Sequence, residues 1–380
     1  MRITGVICEY NPFHRGHWKQ LNHIREITGP DSGIVCLMSG NFVQRGVPAI
    51  ADKLTRAKAA VLCGADLVLE LPATAALSSA EGFAAEGVRI LSSFCHSLCF
   101  GAEVPDRDAL MDLAQALLSQ DFPAILRQEL DRGLSFPAAR QRALASMGLQ
   151  ADLLASPNNI LAVEYCKAIL DQNVPMEPWP IHREGSYHDI QADQENPSAT
   201  AVRQLMTAGD PWTQFLPGEA AECFRNTPLH TLAAGERAIL ARLRTMDDRE
   251  YEALPYGNEG LWHKLRAAAH REATLEEIAS AVKSKRYTRT RIDRMILCAF
   301  LGLTADDLVS PAPWVRVLAF NDCGRKILKL ARQSGQFPNI GEMQDHPFQA
   351  IEDRCDALYG LFAQNAPEPP DPKYRVCCHR

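Results

Sequence analysis

Two histidines in the stretch EYNPFHRGHWKQL have a spacing that suggests chemistry on phosphates. They are His14 and His17, with Gly16 between them. The stretch follows the apolar run ITGVIC, which predicts a strand, and a helical pattern begins at about residue 14. A helix N-terminus attracts phosphate because it carries unpaired N–H groups and partial positive charge. Two imidazoles at this point could donate hydrogen bonds to a nucleotide, and a glycine lets the nucleotide approach the backbone.

Considered alone, the histidine pair could also serve purposes besides phosphate binding. One imidazole could cap the turn while the second fills the edge of a pocket. A zinc site is a further possibility, but zinc needs a third ligand, and the sequence lacks the helical HExxH form that is common in zinc sites. The position of the pair directly after the first predicted strand favours phosphate binding.

A second motif, PSATAVR, spans residues 197–203 and opens a predicted helix. Ser198 and Thr200 supply hydroxyl groups, Arg203 supplies a guanidinium, and the helix start adds its own N–H groups. This combination is suited to a triphosphate. An ordinary N-capped helix would also account for Ser198 and Thr200.

A third polar stretch, SGNFVQRG, ends the second predicted strand and supplies Asn41, Gln44 and Arg45. A guanidinium such as that of Arg45 can hold a carboxylate or a phosphate. A surface arginine beside a loop-stabilising asparagine is the alternative. Lys53 and Arg56 open the next predicted helix, where the helix dipole disfavours cations. Either a nearby phosphate or plain solvent exposure would account for these two residues.

Strand-like and helix-like patterns alternate through the first part of the chain, which predicts a parallel sheet of βαβ units. The strand-like runs are ITGVICEY, GIVCLMSG, DLVLELP and SLCFGAE. We therefore predict an α/β fold with a Rossmann-like core. Ligands of open α/β sheets bind at the carboxyl ends of the strands. The sequence places EYNPFHRGH, SGNFVQRG and FGAE at those ends.

The length of the chain favours two domains. We predict a first domain over residues 1–210, which ends with the helix ATAVRQLMTAG. Residues 211–365 show amphipathic helical patterns without a renewed βαβ rhythm, and they predict a mainly α-helical second domain. Residues 366–380 are rich in proline, so we expect a flexible tail.

The composition is that of an ordinary globular protein, with 46% hydrophobic and 23% charged residues. No apolar run approaches the roughly 20 residues of a membrane span, and no signal-peptide pattern opens the chain, so we expect a cytoplasmic protein without membrane association. Most of the 12 cysteines lie in apolar stretches and are expected to be free thiols. Cys377, Cys378 and His379 lack the partner spacing of a zinc site, and we predict no metal ligands.

A basic segment occurs in the second half of the chain, within AVKSKRYTRTRIDRMILCAF. It is followed by the apolar face of an amphipathic helix, so it could pack on the protein while presenting arginines to RNA phosphates. A solvated charged face is the alternative. The net charge of -6 argues against non-specific coating of nucleic acid but allows a local basic face.

The HxGH pattern after the first strand and the PSATAVR helix start resemble the signatures of the HIGH nucleotidyltransferase superfamily. More narrowly, the chain resembles the bacterial tRNA(Met) cytidine acetate ligase family over most of its length. The stretches that carry this resemblance, in the same order, are GVICEYNPFHRGH, SGNFVQRGVPAIADKLTRAKAAVLCGADLVLELP, FGAE, SPNNILAVEYCKAI, REGSYHD and KSKRYTRTRIDRMIL. Val47 departs from the pattern, because an acidic residue is expected after QRG.

The resemblance implies ATP-dependent acetylation of N4 of the wobble cytidine in elongator tRNA(Met), with acetate activated as acetyl-adenylate. ATP would be a substrate, residues 1–210 would bind ATP and acetate, and the helical domain would bind tRNA. Mg²⁺ is expected on general grounds for triphosphate chemistry, although no carboxylate cage is visible. No protein partner is predicted. The alternatives are an adenylyltransferase acting on a phosphorylated small molecule and a non-catalytic RNA-binding module.

These considerations assign residues to three roles. We predict catalytic roles for His14, His17, Asn41, Gln44 and Arg45. ATP contacts are predicted for Ile7, Glu9, Tyr10, Asn11, Pro12, Phe13, His14, Gly16, His17, Gly101, Asn159, Arg183, Ser198, Thr200 and Arg203. Contacts with tRNA are predicted for Lys283, Lys285, Arg286, Tyr287, Arg289, Arg291 and Arg294.

Two of the predicted ATP contacts depend on the resemblance, which implies that Asn159 and Arg183 touch ATP. Helix capping by Asn158 or Asn159 after Pro157 is the alternative for the asparagine. Gly101 allows close approach of the nucleotide to a strand end, but it could also be a plain turn glycine.

Overall fold

The computed structural model describes residues 1–183, 196–334, 346–365 and 376–378. The strands within these residues are β1 (Ile3–Cys8), β2 (Gly33–Ser39), β3 (Phe42–Val43), β4 (Val47–Pro48), β5 (Leu67–Leu71), β6 (Ser97–Ala102), β7 (Glu177–His182), β8 (Val317–Phe320) and β9 (Val376–Cys377).

The helices of the first part of the chain are α1 (Arg15–Thr28), α2 (Lys53–Leu62), α3 (Ala73–Ala76), α4 (Ala80–Leu91), α5 (Arg107–Leu117), α6 (Phe122–Asp131), α7 (Phe136–Ser146), α8 (Pro157–Asp171) and α9 (Ala199–Ala208). The later helices are α10 (Gly218–Phe224), α11 (Leu232–Thr245), α12 (Asp248–Glu252), α13 (Leu261–Arg271), α14 (Leu275–Val282), α15 (Arg289–Leu301), α16 (Ala305–Val309), α17 (Asp322–Ser334) and α18 (Pro347–Tyr359).

The main sheet of the described residues has the strand order β7-β6-β1-β2-β5-β8-β9. Strands β7, β6, β1, β2 and β5 are parallel to one another. Strands β2 and β5 are buried along their whole length, as expected for strands covered by helices on both faces. The predicted α/β fold with a Rossmann-like core is confirmed. The strand order reverses between β1 and β6, because β2 and β5 extend the sheet on one side of β1 while β6 and β7 extend it on the opposite side.

The far edge of the sheet differs from the sequence analysis, which placed no strand after residue 210. Strand β8 pairs antiparallel with β5, and β9 pairs parallel with β8. Both strands are short, at four and two residues, so neither gave a recognisable alternating pattern. The domain boundary at residue 210 stays a prediction, and the sheet takes two strands from beyond it.

The chain beyond residue 210 is mainly helical, as predicted. Helices α11, α13, α14, α15 and α18 bury a large apolar cluster. Phe42, which follows β2, enters this cluster and makes edge-to-face ring contacts with Tyr359 and Phe362 at centroid distances of 5.8 Å. The loop after β2 is therefore supported by the helical part of the chain.

Several further expectations can be compared with the described residues. All 12 cysteines are free thiols, and Cys36, Cys63, Cys95, Cys99, Cys166 and Cys298 are buried. In the described part of the chain, no helix has the length and apolar character needed to cross a bilayer. Of the predicted tail, residues 366–375 and 379–380 lie outside the described residues, whereas Val376 and Cys377 form β9.

Candidate active site

A cavity of about 800 Å³ opens at the carboxyl ends of β1, β6 and β7. This is the point where the strand order reverses, which is the expected position for a ligand in an open α/β sheet. The start of α1, the loop between β3 and β4, and the start of α9 complete its walls. The structure thus brings the three polar motifs of the sequence to one cavity.

The two histidines cap helix α1 with one nitrogen each. His14 is the N-cap residue, and its Nδ1 accepts a hydrogen bond from the Gly16 N–H at 3.1 Å. The Nδ1 of His17 accepts from the His14 N–H at 3.2 Å. Because each neutral ring accepts at Nδ1, its proton lies on Nε2. The helix-capping alternative is therefore correct, and it leaves both Nε2–H groups available for another interaction.

Both imidazoles are held in the neutral form. Burial lowers the pKa of His14 to about 3, and the charges of Arg183 and Arg203 act in the same direction. Burial also lowers the pKa of His17 well below its usual value, with smaller contributions from His14 and Arg183. The rings stack with centroids 3.7 Å apart. Within the described residues, the buried Nε2 of His14 has no hydrogen-bond partner, so it is a preorganised donor.

The PSATAVR motif forms the start of α9 and faces the same cavity. Ser198 is the N-cap residue, and its hydroxyl accepts from the Ala201 N–H at 3.0 Å. Arg203 donates to the Thr200 hydroxyl at 3.1 Å and to the carbonyl oxygen of Asn11 at 2.6 Å. Two helix N-termini, those of α1 and α9, therefore meet at the cavity, which makes it electropositive.

The two asparagines at the start of α8 make different contacts. Asn158 lines the cavity, accepts from Arg183 at 2.7 Å and donates to Glu103 at 2.7 Å. Asn159 does not line the cavity; it is fully buried and accepts from the Val104 N–H at 3.2 Å. Asn159 was the predicted ATP contact, and the spacing of two neighbouring asparagines gives no signal that distinguishes one from the other.

The loop after β2 separates the residues that were predicted to act together. Gln44 and Arg45 line the cavity. Asn41 does not: it is buried, donates to Asp356 at 3.0 Å and accepts from the Lys53 N–H at 3.0 Å. The expectation that Asn41 faces the ligands is corrected by this placement, because its side chain fixes the loop to α2 and α18.

Lys53 belongs to an ion cluster that we define as Lys53, Glu70, Arg316 and Asp356. The Lys53 ammonium lies 2.7 Å from both carboxylates, and Arg316 lies 3.0 Å from Glu70 and 2.9 Å from Asp356. All four side chains are buried. Lys53 is therefore neither a phosphate ligand nor a solvent-exposed lysine, and both alternatives predicted from the sequence are wrong for it.

Arg56 is likewise buried, with 0% of its surface exposed, so the same two predicted alternatives are wrong for this residue. Its guanidinium donates to the carbonyl oxygens of Glu9 at 2.6 Å, Ser39 at 3.1 Å and Ala51 at 2.9 Å, and also to that of Gly40. Arg56 thereby ties the ends of β1 and β2 together beneath the cavity.

The basic segment, residues 283–294, is only partly exposed. The side chains of Lys283, Lys285 and Arg286 are exposed, and Arg286 pairs with Glu259 at 2.6 Å. Arg289 pairs with Glu276 and Asp293, each at 2.7 Å. Tyr287, in contrast, is 4% exposed and lies in the helical core.

The last two arginines of the basic segment contact neighbouring elements. Arg291 donates to the carbonyl oxygen of Tyr256 at 2.9 Å, and Arg294 donates to that of Gln44 at 3.2 Å. Gly46 has a φ of +79°, and a Cβ at this position would overlap the backbone of Asp293 and Arg294. The start of α15 therefore adjoins the cavity loop.

The remaining predicted ATP contacts lie as follows. Pro12 and Phe13 are buried behind the turn and do not line the cavity. Those that do line it are Ile7, Glu9, Tyr10, Asn11, His14, Gly16, His17, Gly101, Arg183, Ser198, Thr200 and Arg203, as does Val47. An apolar wall of the cavity, which was not predicted from the sequence, is made by Phe83, Phe100, Leu161 and Tyr165. These residues belong to ordinary core patterns, which gave no signal of a ligand.

Comparison with known proteins places this geometry in a family. The family model of HIGH nucleotidyl transferases matches residues 1–370. The chain is 38% identical over 358 residues to the tRNA(Met) cytidine acetate ligase of Clostridium novyi (strain NT), and this match covers 89% of each chain. It is 37% identical over 366 residues to the tRNA(Met) cytidine acetate ligase of Clostridium tetani, and this match covers 90% of this chain and 91% of the relative.

Solved structures agree with these relatives. The apo crystal structure of Thermotoga maritima TmcAL matches the whole of both chains with a TM-score of 0.92 and 29% identity. A second form of that protein, bound with alpha-thio ATP, matches with a TM-score of 0.88 and 29% identity, again over both whole chains. The resemblance found in the sequence is confirmed: the chain belongs to the HIGH nucleotidyl transferase family and, within it, to the tRNA(Met) cytidine acetate ligases.

Proposed function

We propose that this protein activates acetate with ATP and transfers the acetyl group to N4 of the wobble cytidine of elongator tRNA(Met). The observation that carries the proposal is the pair of neutral histidines, which present Nε2–H groups at the cavity where the strand order reverses. Membership of the ligase family supports the choice of substrates. Since tRNA is the proposed acceptor, the proposed location of the reaction is the cytoplasm.

In the first half-reaction, an acetate oxygen attacks the α-phosphorus of ATP, and pyrophosphate leaves. Negative charge builds up on the phosphate oxygens, where fixed N–H donors lower the barrier. We assign this role to the Nε2–H groups of His14 and His17, whose neutral rings need no proton transfer. Arg203 and the N-terminus of α9 are assigned to the triphosphate.

Acetate is assigned to the loop side of the cavity, beside Gln44 and Arg45. A guanidinium forms paired hydrogen bonds with a carboxylate, which would orient one acetate oxygen for attack. The nucleoside is assigned to the opposite side, where Gly101 lies near Phe100 and Tyr165. Planar bases favour such an apolar wall.

In the second half-reaction, the cytidine amine attacks the acetyl carbonyl, and AMP leaves. The cytidine must leave the anticodon stack to reach the cavity, which costs little in a single-stranded loop. The basic segment adjoins the loop that carries Gln44, so RNA held there would lie next to the adenylate. The exposure of Lys283 and Lys285, in the same basic segment, supports their assignment to RNA phosphates.

Mg²⁺ stays a prediction based on triphosphate chemistry. Within the described ranges, no group of three or more His, Cys, Asp or Glu side chains is arranged to hold a metal ion. Mg²⁺ commonly reaches such sites bound to substrate phosphates and water rather than in an all-protein cage. The steps proposed above are therefore assigned only to residues of the chain.

The test is transfer of labelled acetate into bulk bacterial tRNA by the purified protein, with and without ATP, followed by nucleoside analysis. ATP-dependent label in N4-acetylcytidine is the expected result, and the His17→Ala variant should abolish it. ATP cleavage without label in RNA would instead indicate an adenylyltransferase that acts on a small molecule. RNA binding without ATP cleavage would indicate a non-catalytic module.

A further inference from the structure

Glu9 is a carboxylate at the floor of a cavity that otherwise favours anions. It directly follows β1 and lines the cavity beside the histidine turn. Its Oε1 accepts the Gln44 N–H at 2.8 Å, which fixes the side chain against the loop proposed to hold acetate. Within the described residues, its Oε2 has no hydrogen-bond partner. Glu9 therefore has one anchored oxygen and one available oxygen on the acetate side.

The surroundings make Glu9 a stronger base than an ordinary glutamate. Burial raises its pKa, and this effect is partly offset by the Gln44 N–H and by the charges of Arg203, Arg45 and Arg56. The charges of the three arginines stabilise the ionised form, which is the form that accepts a proton. A carboxylate with a raised pKa accepts a proton more readily.

The second half-reaction requires such a group. When the cytidine amine attacks the acetyl carbonyl, the new N4–C bond leaves a proton in excess on nitrogen. The C–O bond to the phosphate then breaks, AMP leaves with the electron pair, and the proton must pass from N4 to a base. While the C–O bond is intact, the phosphate of the adenylate is esterified and is a very weak base, so a positioned carboxylate that takes the proton as the N4–C bond forms would accelerate this step.

The remaining titratable groups of the described cavity are poor candidates for this base. His14 and His17 carry their protons on Nε2 and accept hydrogen bonds at Nδ1, so both rings are already committed as donors. Burial raises the pKa of the Cys8 thiol and of the Tyr10 hydroxyl well above their usual values, and both remain protonated. Glu26 and His23, on α1, and His182, at the end of β7, also line the cavity, but their side chains are exposed, whereas Glu9 is fixed against the loop after β2. Burial raises the pKa of the Tyr165 hydroxyl well above its usual value, so it remains protonated.

We propose that the Glu9 carboxylate accepts the proton released by the cytidine N4 amine during acetyl transfer. This inference rests on the proposed function, because it assigns a residue to the second half-reaction only. It distinguishes Glu9 from the histidines, which serve the first half-reaction by donating hydrogen bonds to phosphate.

The test separates the two half-reactions in the full-length protein. Glu9→Gln keeps the side-chain length and an oxygen that can accept the Gln44 N–H. Because Glu9 is also a predicted ATP contact, acetate-dependent exchange of pyrophosphate into ATP, measured without RNA, serves as the reference, and transfer should fall by at least about tenfold more than this exchange. Transfer from preformed acetyl-adenylate to tRNA should fall by about 10²–10⁴-fold, the usual contribution of a general base. Glu9→Asp keeps a carboxylate, so its transfer rate should be higher than that of Glu9→Gln and should retain the pH dependence of the parent protein.

The pH profile provides a readout that a merely structural role would not change. In the parent protein, the transfer rate should fall at acidic pH as Glu9 takes up a proton, and Glu9→Gln should abolish this decline. Glu222→Gln, the same change at an exposed side chain on α10, is the matched control and should leave both half-reactions unchanged. Equal thermal unfolding midpoints of the three proteins would show that each one is folded.

Two outcomes would overturn the inference. If Glu9→Gln lowers pyrophosphate exchange and transfer by the same factor, Glu9 serves ATP, acetate or a metal rather than the amine proton. If transfer is unchanged, the proton passes to another acceptor. Failure of the proposed function itself is a separate result, because the parent protein would then show no ATP-dependent label in tRNA.

Discussion

The cavity and the ion cluster lie side by side at the carboxyl ends of the parallel strands, yet they use polar groups in opposite ways. At the cavity, His14 and His17 each use Nδ1 within the fold and keep Nε2–H for another partner. In the ion cluster, two cations and two carboxylates neutralise one another and are buried. The residue type alone therefore does not identify a ligand site; the pairing of each polar atom does.

The ion cluster also contributes to the cavity indirectly. Asp356, on α18, accepts from both Lys53 and Asn41, and Asn41 begins the loop that carries Gln44 and Arg45. A buried ion pair adds little net stability compared with an apolar pair, but it fixes geometry. We interpret the cluster as the support that holds this loop in place.

The largest expected effect is on stability, from the removal of one charge from the ion cluster. Lys53→Met leaves two buried carboxylates with a single cation, which should lower the free energy of unfolding by about 3–5 kcal/mol. Urea unfolding measures this change. Lys58→Met, at an exposed position of the same helix, should change stability by less than about 0.5 kcal/mol. Equal effects of the two variants would remove the distinction between the cluster and the surface.

A loss of catalysis without loss of stability is expected at the cavity. His14→Asn keeps an acceptor for the Gly16 N–H but removes the Nε2–H donor. Acetate-dependent pyrophosphate exchange should fall by about 10²–10³-fold, the usual effect of losing one such donor. The unfolding midpoint should change little, whereas His14→Ala should also lose about 1 kcal/mol with the cap. Unchanged exchange in His14→Asn would show that this donor does not contact the phosphate.

A pH-dependent effect is expected at Glu352, a third acid beside the ion cluster. Burial and the charge of Glu70 raise the pKa of Glu352 to about 8, against the usual 4.5. The folded protein therefore binds more protons than the unfolded chain between these values, so its stability falls as pH rises from 4.5 to about 8. The slope is at most about 1.4 kcal/mol per pH unit.

Glu352→Gln should abolish this part of the pH dependence, because it has no proton to lose. Unfolding by urea at several pH values compares the two proteins. The difference in their free energies of unfolding should change steadily between about pH 5 and about pH 8 in favour of the variant. A constant difference would show that Glu352 is ionised in the folded protein throughout this range.

The smallest effect is expected in the basic segment, where the same distinction between paired and exposed charges applies. Replacing the exposed Lys283 and Lys285 with alanine should weaken tRNA binding about tenfold and reduce the slope against salt concentration by about two. Pyrophosphate exchange without RNA should not change. The control is the double alanine variant of Lys326 and Lys329, exposed residues on α17, which changes the net charge equally. If both double variants weaken binding alike, the effect reflects net charge alone.

The features that the sequence predicted correctly depend on neighbouring residues. The first strands, the helix after His14 and the cap at Ser198 follow from patterns within a few positions. Helix capping and phosphate binding were alternatives for the imidazole pair, and the geometry is compatible with both because each ring has two nitrogens. Asn41 and Lys53 were misplaced because their partner, Asp356, lies 315 and 303 residues further along the chain. No local pattern carries information over such a separation.

The contact between Asp356 and Lys53 has a consequence for how the protein is made. Every described residue that lines the cavity lies at or before Arg203, so a ribosome has synthesised all of these residues well before it reaches α18. At about 5–20 residues per second, the 303 residues between Lys53 and Asp356 take about 15–60 s to add. During that interval the nascent chain lacks the carboxylate that secures the loop after β2. A premature stop codon just ahead of α18 would therefore spare all of these cavity residues and still deprive the loop of its support.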